Sequence, residues 1–500
     1  MLLKKHRRAL LCLKFNETKT YNKLIMKYIY NEKPIFLLID NFLFEALEGL
    51  IEKNNQLHPK GKFKLKMDFA VYILDTISRK STQKKSKYVR LKAKYLKDLQ
   101  GNYNFYIDFL LQSKLLKRLP YNVNTSKCFG YRIIYPKPNL PARKRRFIKY
   151  EPLSFTFKKK LAKHFDNRKS TADKSTGHLT KWLNSDFISL DYDSAIDYIH
   201  NSKLTNNQLY HRRYLCEILK EDIWYYSREG KDNRLHSNLT SFPWDLKPFL
   251  SNKVKKLISQ DLKSSQPFLL AGLLNLIVNK EYEKLEYILN NMIVDKVRKS
   301  KLESTLSIMI PKSLEPSTSK ELIEFIKLIE KTDIYDYIGS QFSDKLLKNV
   351  KVKDGFEDLF YNENLGYKVK TKFNDLRDYA KRVMLEYMYC SPKSSEARYK
   401  ELRAVFPNTL NEFVDTLKET NIKLGYTKND FAIILQNIES YVFLDVVSKE
   451  FSVKYPNTFV ATIHDSLIVP IGFENKVKRL LKNNLFNIFK LNATVKNDVW

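Results

Sequence analysis

The stretch KKLISQDLKSSQPFLLAGLLNLIV, residues 255–278, constrains the fold more than any other part of the chain. A short apolar run ends in Asp261, a polar turn follows, and Pro267 opens an apolar helix. Proline suits the first helical position, where its missing N–H is not needed. The pattern predicts a strand that carries Asp261 to its end, where the carboxylate can point into a cleft. Taken alone, an aspartate before a turn is usually a cap or turn residue.

A second stretch, NTFVATIHDSLIVPI, has β-branched and apolar residues on either side of His464-Asp465-Ser466. It predicts a hairpin with Asp465 at its turn. Two carboxylates on adjacent strand ends can bridge two Mg²⁺ ions about 3.5–4 Å apart, one activating a 3′-hydroxyl and one neutralising a leaving pyrophosphate. Oxygen ligands suit Mg²⁺, and Mn²⁺ can substitute. A His-Asp pair can also serve a metal phosphohydrolase, but no further His/Asp set with ligand spacing accompanies it.

The third stretch is RDYAKRVMLEYMYC. On a helix, Arg377, Lys381, Leu385 and Tyr389 recur every four residues and form one slowly drifting stripe about 18 Å long. The stripe is cationic at one end and aromatic at the other. A triphosphate would suit the cations and a base or sugar the aromatic end. An ordinary amphipathic helix with solvated Arg and Lys gives the same pattern.

Charge narrows the partners. Lys plus Arg number 89 against 55 Asp plus Glu, a formal +34. Such an excess favours phosphate-rich partners, above all nucleic acid. Cys12, Cys128, Cys216 and Cys390 are scattered without zinc or redox spacing, so reduced thiols are expected. No apolar run approaches the roughly 20 residues of a membrane helix. The start, MLLKKHRRALLCLKF, lacks a clear cleavage site, so a cytoplasmic, bacterial, viral or plasmid-encoded protein is expected, with a mitochondrial transit peptide as the alternative.

At about 150 residues per domain, the chain suggests roughly three units. Residues 1–135 read as a basic α+β domain for nucleic acid or a replication partner. Within it, YVRLKAKYLKDLQGNYNFYIDFLLQSKLLKRL predicts two helices meeting near Gly101, and YNVNTSKCFGYRIIY a hairpin. That order fits a winged helix or another small α+β domain. The prolines of YPKPNLPARKRRFIKYEP and the polar FDNRKSTADKSTG mark 136–177 as a linker. NQLYHRRYLCEILKEDIWYYSR, within 178–230, predicts helices whose basic residues could clasp a backbone. From 431 onward the pattern runs helix, strands, then a final amphipathic helix.

Together these stretches resemble the family-A polymerases, which include the DNA-polymerase-I-like enzymes and the single-subunit phage-type RNA polymerases. The family's helix motif, Arg-x3-Lys-x3-Phe-x3-Tyr-Gly, is matched by Arg377, Lys381, Leu385, Tyr389 and Cys390, with Leu for Phe and Cys for Gly. The resemblance implies that Asp261 and Asp465 are the catalytic, metal-binding pair, with His464 beside them as a nucleic-acid contact. Ser466 stands where many family DNA polymerases have Glu, and Ser is common there in the RNA polymerase branch. GKDNRLHSNLTSFPWDLKPFL is similar to the family's segment that grips the primer–template minor groove, making Arg234, Ser237 and Asn238 candidate duplex contacts. Gln436 corresponds in order to the family's minor-groove glutamine.

The resemblance covers roughly 178–500. It implies a right-hand fold: thumb-like helices at 178–230, palm at 231–275 and 430–500, and fingers at 276–429 with an insertion near 300–350. It implies a monomeric enzyme that adds nucleotides to a primer. Sugar choice in the family depends on the position five after the first aspartate, here Gln266. As long as the usual Glu, Gln266 is expected to bond to Tyr389 and exclude the 2′-hydroxyl, which implies dNTPs. No proofreading exonuclease is expected, since Asp40 and Glu45 look like an ordinary helix face. An RNA polymerase or primase-like enzyme, and a non-catalytic nucleic-acid-binding replication protein, are the alternatives.

Overall fold

A computed structural model describes residues 34–500 apart from 60–63, 82–87, 120–127, 137–144, 293, 314, 363–366, 393 and 422. The basic start of the chain with Cys12, much of the 121–135 hairpin, and residues 137–144 of the expected linker lie outside the described residues. Helices and strands are mixed in an α+β arrangement.

The largest sheet is antiparallel and has six strands. Its order runs Ala461–Ile463, Ser466–Pro470, Lys255–Leu262, Leu250–Asn252, Ser189–Leu190, with Val495–Val499 also paired to Lys255–Leu262. Asp261 is therefore paired on both sides, with Ser466 and with Lys496. Ladders on both edges leave the backbone at Asp261 little freedom. The final amphipathic helix is Glu474–Phe489; the strand after it is polar, VKNDV, and has no strand signature in the sequence.

Helix Ser265–Val278 follows the Asp261 strand after a two-residue turn and buries twelve of its fourteen residues. Apolar all round, it is a core helix. Helix Glu474–Phe489 crosses it at Gly272, where a Cβ would lie 2.6 Å from the Phe489 ring. Gly272→Val is expected to cost about 1–3 kcal/mol by overpacking. The denaturant midpoint should fall while the slope of the transition is kept; an unchanged midpoint would show that Phe489 yields freely.

Helix runs continuously from Asp430 to Lys454, with a π-helical stretch at Tyr441–Val447. Among the described residues it is the one helix long and apolar enough to cross a membrane, and 78% of its apolar window is buried inside the protein.

The N-terminal unit has its own core, centred on Phe69, Ile73, Leu110 and Leu161. Over Met67–Ile133 the order is helix, strand, helix, helix, strand, strand. The three strands form one antiparallel sheet with Gly130–Ile133 in the middle. Asp40 caps helix Asn41–Leu57 and pairs with buried Arg145 at 3.1 Å, a structural role.

Two expectations need correction here. The described part of 136–177 is not a linker: Phe147–Tyr150 pairs with Leu37–Asp40, and Phe155–Thr180 is a 26-residue helix. The prolines end at Pro152, Ser154 caps the helix, and the polar residues beyond are mostly on its solvated sides. Residues 178–230 do not stand apart as basic clasping helices. Every residue from Tyr210 to Leu219 on helix Asn206–Lys220 is buried. Arg212 makes a bidentate pair with Asp245 (2.9 and 3.1 Å), and Tyr214 donates to Asp75 of the N-terminal unit at 2.6 Å. This helix is packed from both sides, so its arginines face protein.

Candidate active site

Asp261 and Asp465 come together because their strands are neighbours. The Leu262 N–H donates to the Asp465 carbonyl at 3.2 Å, and Ser466 Oγ donates to Asp261 Oδ1 at 2.5 Å. The chain reverses between Ile463 and Ser466 through His464-Asp465, with His464 at φ +53°. Ser264, in the turn after Asp261, is also left-handed at φ +52°. Such backbone costs about 1–3 kcal/mol for a non-glycine residue and persists only where its surroundings enforce it. Both instances flank the carboxylates.

Burial, then the charges of Glu439 and Asp261, push the Asp465 carboxyl up to about 8. Burial, then Arg234 and His236, push His464 down to about 4, so it is neutral at physiological pH. Among the described residues no three His, Cys, Asp or Glu side chains gather into a metal-holding group. The donors at the strand ends are two carboxylates, hard oxygens that suit Mg²⁺ when water and substrate phosphates complete the shell. The crowding at Asp465 also fits: a cation would relieve the like-charge repulsion that raises it.

Arg377, Lys381, Leu385 and Tyr389 lie on helix Leu376–Tyr389, and none of the four is buried. The opposite face, with Tyr379, Val383 and Tyr387, packs inward. Arg377 donates twice to Asp333 Oδ2, at 3.1 and 3.0 Å, and the same oxygen takes Lys263 at 3.1 Å. Burial works against its charge, but bonds from Lys263 and Arg377 hold Asp333 below the usual carboxylate range. Arg377 and Lys381 lie 5.3 and 6.0 Å from the Tyr335 ring centre. Burial pushes the Tyr335 phenol up to about 12, with Asp465 and Asp333 acting in the same direction. Asp333 and Tyr335 belong to the stretch expected as an insertion, yet they join the cationic helix to the Asp261 turn.

The other predicted residues divide. Arg234 pairs with buried Glu439 (2.5 Å) and donates to it through Nε at 2.8 Å. Ser237 heads the short helix Asn238–Ser241 and is buried. Asn238 turns inward: its amide accepts from Tyr225 N–H and donates to the Ile223 carbonyl, both at 2.8 Å. Holding that chain reversal occupies both ends of its amide.

Gln266 does not bond to Tyr389. It donates to Glu439 at 2.7 Å, while Gln436 donates to the Tyr389 hydroxyl. The reason is a competing acceptor: Glu439, 1% exposed, collects Arg234, Ser265 Oγ (3.0 Å) and Gln266. The same helix fastens the Arg228–Arg234 segment elsewhere. Asn437 and Ser440 donate to the Lys231 and Asp232 carbonyls, both at 2.9 Å, and Asp445 takes Arg228 at 2.6 and 2.8 Å. Glu439 is the residue of this candidate site that sequence reasoning missed. Its one signal is a carboxylate that follows Ile438 one position along a largely apolar stretch of helix.

No family model and no curated protein matches the chain. Among solved structures, the chain is similar to the POL domain of Pol1 from M. smegmatis in complex with DNA primer-template and dNTP, at 10% identity and a TM-score of 0.28. The match covers 62% of this chain and 54% of that one, so the chain spans about half the length of the structure it matches.

Proposed function

We propose that the chain is a template-directed DNA polymerase that transfers deoxynucleotides from dNTPs to a primer 3′-hydroxyl, without a proofreading exonuclease. The observation that carries this reading is one carboxylate, Asp333, joining Lys263, two residues after Asp261, to Arg377 on the cationic stripe. That link sets the acidic strand ends and a cation-to-aromatic helix face around one site.

Asp261 and Asp465 would hold two Mg²⁺, which polarise phosphoryl oxygens and lower the cost of charge in the displacement. Lys381, exposed on the stripe, meets the triphosphate. Arg377 exchanges Asp333 for phosphate oxygens when the nucleotide arrives, a swap between two anionic partners of one guanidinium. Leu385 and Tyr389 offer the apolar face for base and sugar. Arg234, oriented by Glu439, serves the duplex with Ser237, and Asn238 supports the segment from within.

In right-hand terms, 231–275 and 430–500 with the six-stranded sheet form the palm, and 276–429 the fingers. The thumb reading does not extend to buried helix Asn206–Lys220. The element order over Met67–Ile133 supports a winged-helix reading of the N-terminal unit.

One observation favours the ribonucleotide alternative. Gln266 Oε1 is buried without a hydrogen-bond partner, and a ribose 2′-hydroxyl could donate to it. Primer extension with dNTPs against NTPs decides the sugar. Wild type is expected to prefer dNTPs, and Gln266→Ala, which removes the side chain expected to crowd the 2′-hydroxyl, to lower that preference about tenfold, a difference of ~1.4 kcal/mol. Clear preference for NTPs would move the assignment to an RNA polymerase.

A further inference from the structure

A second cleft, of about 510 Å³, lies between the N-terminal unit and the Tyr225–Ser241 segment. Six cations line it: Arg79 and Lys80 at the end of helix Met67–Lys80, Arg90 and Lys92 at strand Val89–Arg90, and Arg168 and Lys169 on helix Phe155–Thr180. Three separate elements thus bring positive charge to one wall.

Glu229 pairs with Arg168 at 2.9 Å and Asp75 with Arg79 at 3.7 Å. Partial desolvation between the cleft walls, then the charges of Arg79, Arg168 and Lys92, push the Lys80 ammonium down to about 8. Aromatic rings sit among the charges. Arg79 lies 4.1 Å from the Tyr225 ring centre and Lys169 5.3 Å from that of Tyr226, and Tyr95 is exposed on the wall. Ser237 and Asn238 line the opposite side.

We infer that this cleft binds a single strand of nucleic acid, its phosphates on the six cations and its bases against the tyrosines. Alternating cations and rings suit an unpaired strand, because stacking needs bases out of the duplex, while the cations track any sequence alike. The N-terminal unit thereby becomes one wall of a strand track continuous with the segment proposed to hold the primer–template. That continuity rests on the proposed function; the strand binding does not.

The test measures binding of the full-length chain to a fluorescein-labelled single-stranded oligonucleotide by anisotropy, across a KCl series and without metal or nucleotides. Lys80 and Lys92 are exposed, so Lys80→Ala/Lys92→Ala should fold normally, as a thermal melt would show. Losing two phosphate contacts should reduce the slope of log K against log salt by about 1.4, at ~0.7 per contact for single strands. Lys80→Arg/Lys92→Arg should restore it. An unchanged slope in the alanine variant would overturn the inference. So would a loss confined to duplex, or displacement of the strand by a mononucleotide or inorganic phosphate at micromolar concentration. A chain that shows the predicted slopes but never extends a primer would sink the polymerase reading and leave this cleft standing.

Discussion

Asp261→Asn and Asp465→Asn are each expected to lower primer extension about a thousandfold or more while leaving DNA binding close to normal. Each substitution keeps the shape of the side chain and removes one anionic oxygen from a pair that would hold Mg²⁺. Charge stabilisation by a bound metal is worth several kcal/mol, and each ~1.4 kcal/mol is a factor of ten in rate. The fold should not suffer. Asp261 is paired on both sides of its strand, and the Asp465 hairpin is closed by backbone bonds that asparagine keeps. Because burial, then Glu439 and Asp261, disfavour an ionised Asp465, a neutral asparagine fits the metal-free site at least as well. The melting temperature of the metal-free variant should be no lower than that of wild type. Variants that extend primers as fast as wild type would remove the proposed chemistry from this pair.

Glu439→Ala should have the largest effect on stability. Glu439 is 1% exposed and receives Arg234, Ser265 and Gln266. Removing one partner of a buried pair leaves the other charge uncompensated and costs about 3–5 kcal/mol. Two further donors lose their acceptor, and the Arg228–Arg234 segment loses one of its ties to the Asp430–Lys454 helix. Glu439→Gln keeps the shape and one acceptor oxygen, so it should cost less than the alanine. Denaturant unfolding of both variants measures this. A loss below about 1 kcal/mol for the alanine would mean that Arg234 finds water or another partner, as an exposed pair would.

The parts of the site that the sequence disclosed are those governed by local pattern. Asp261 at a strand end, Pro267 opening a helix, the His464-Asp465 turn and the Arg377-to-Tyr389 stripe each follow from periodicity or turn chemistry over a dozen residues. The parts it hid depend on contacts across long sequence distances. Glu439 meets Arg234 from 205 residues away, and that pairing diverts Gln266 from Tyr389. Asp333 and Tyr335 sit in a charged, helix-rich stretch whose local pattern resembles any surface insertion. Arg212 and Arg213 look solvated by composition, but the N-terminal unit covers their helix. Polarity misled twice more: in the Phe155–Thr180 helix, where Ser, Thr and Lys suggested a linker, and in Val495–Val499, where the sheet supplies the order that the residues do not signal.

The proposed function requires that nucleotides are joined here under the direction of a template. The most direct measurement is extension of a labelled primer by the full-length chain with Mg²⁺ and single dNTPs, on four templates that differ only at the first unpaired base. Each template should admit its complementary nucleotide, and EDTA should stop the reaction. No incorporation, or incorporation that ignores the template base, would contradict the proposed function.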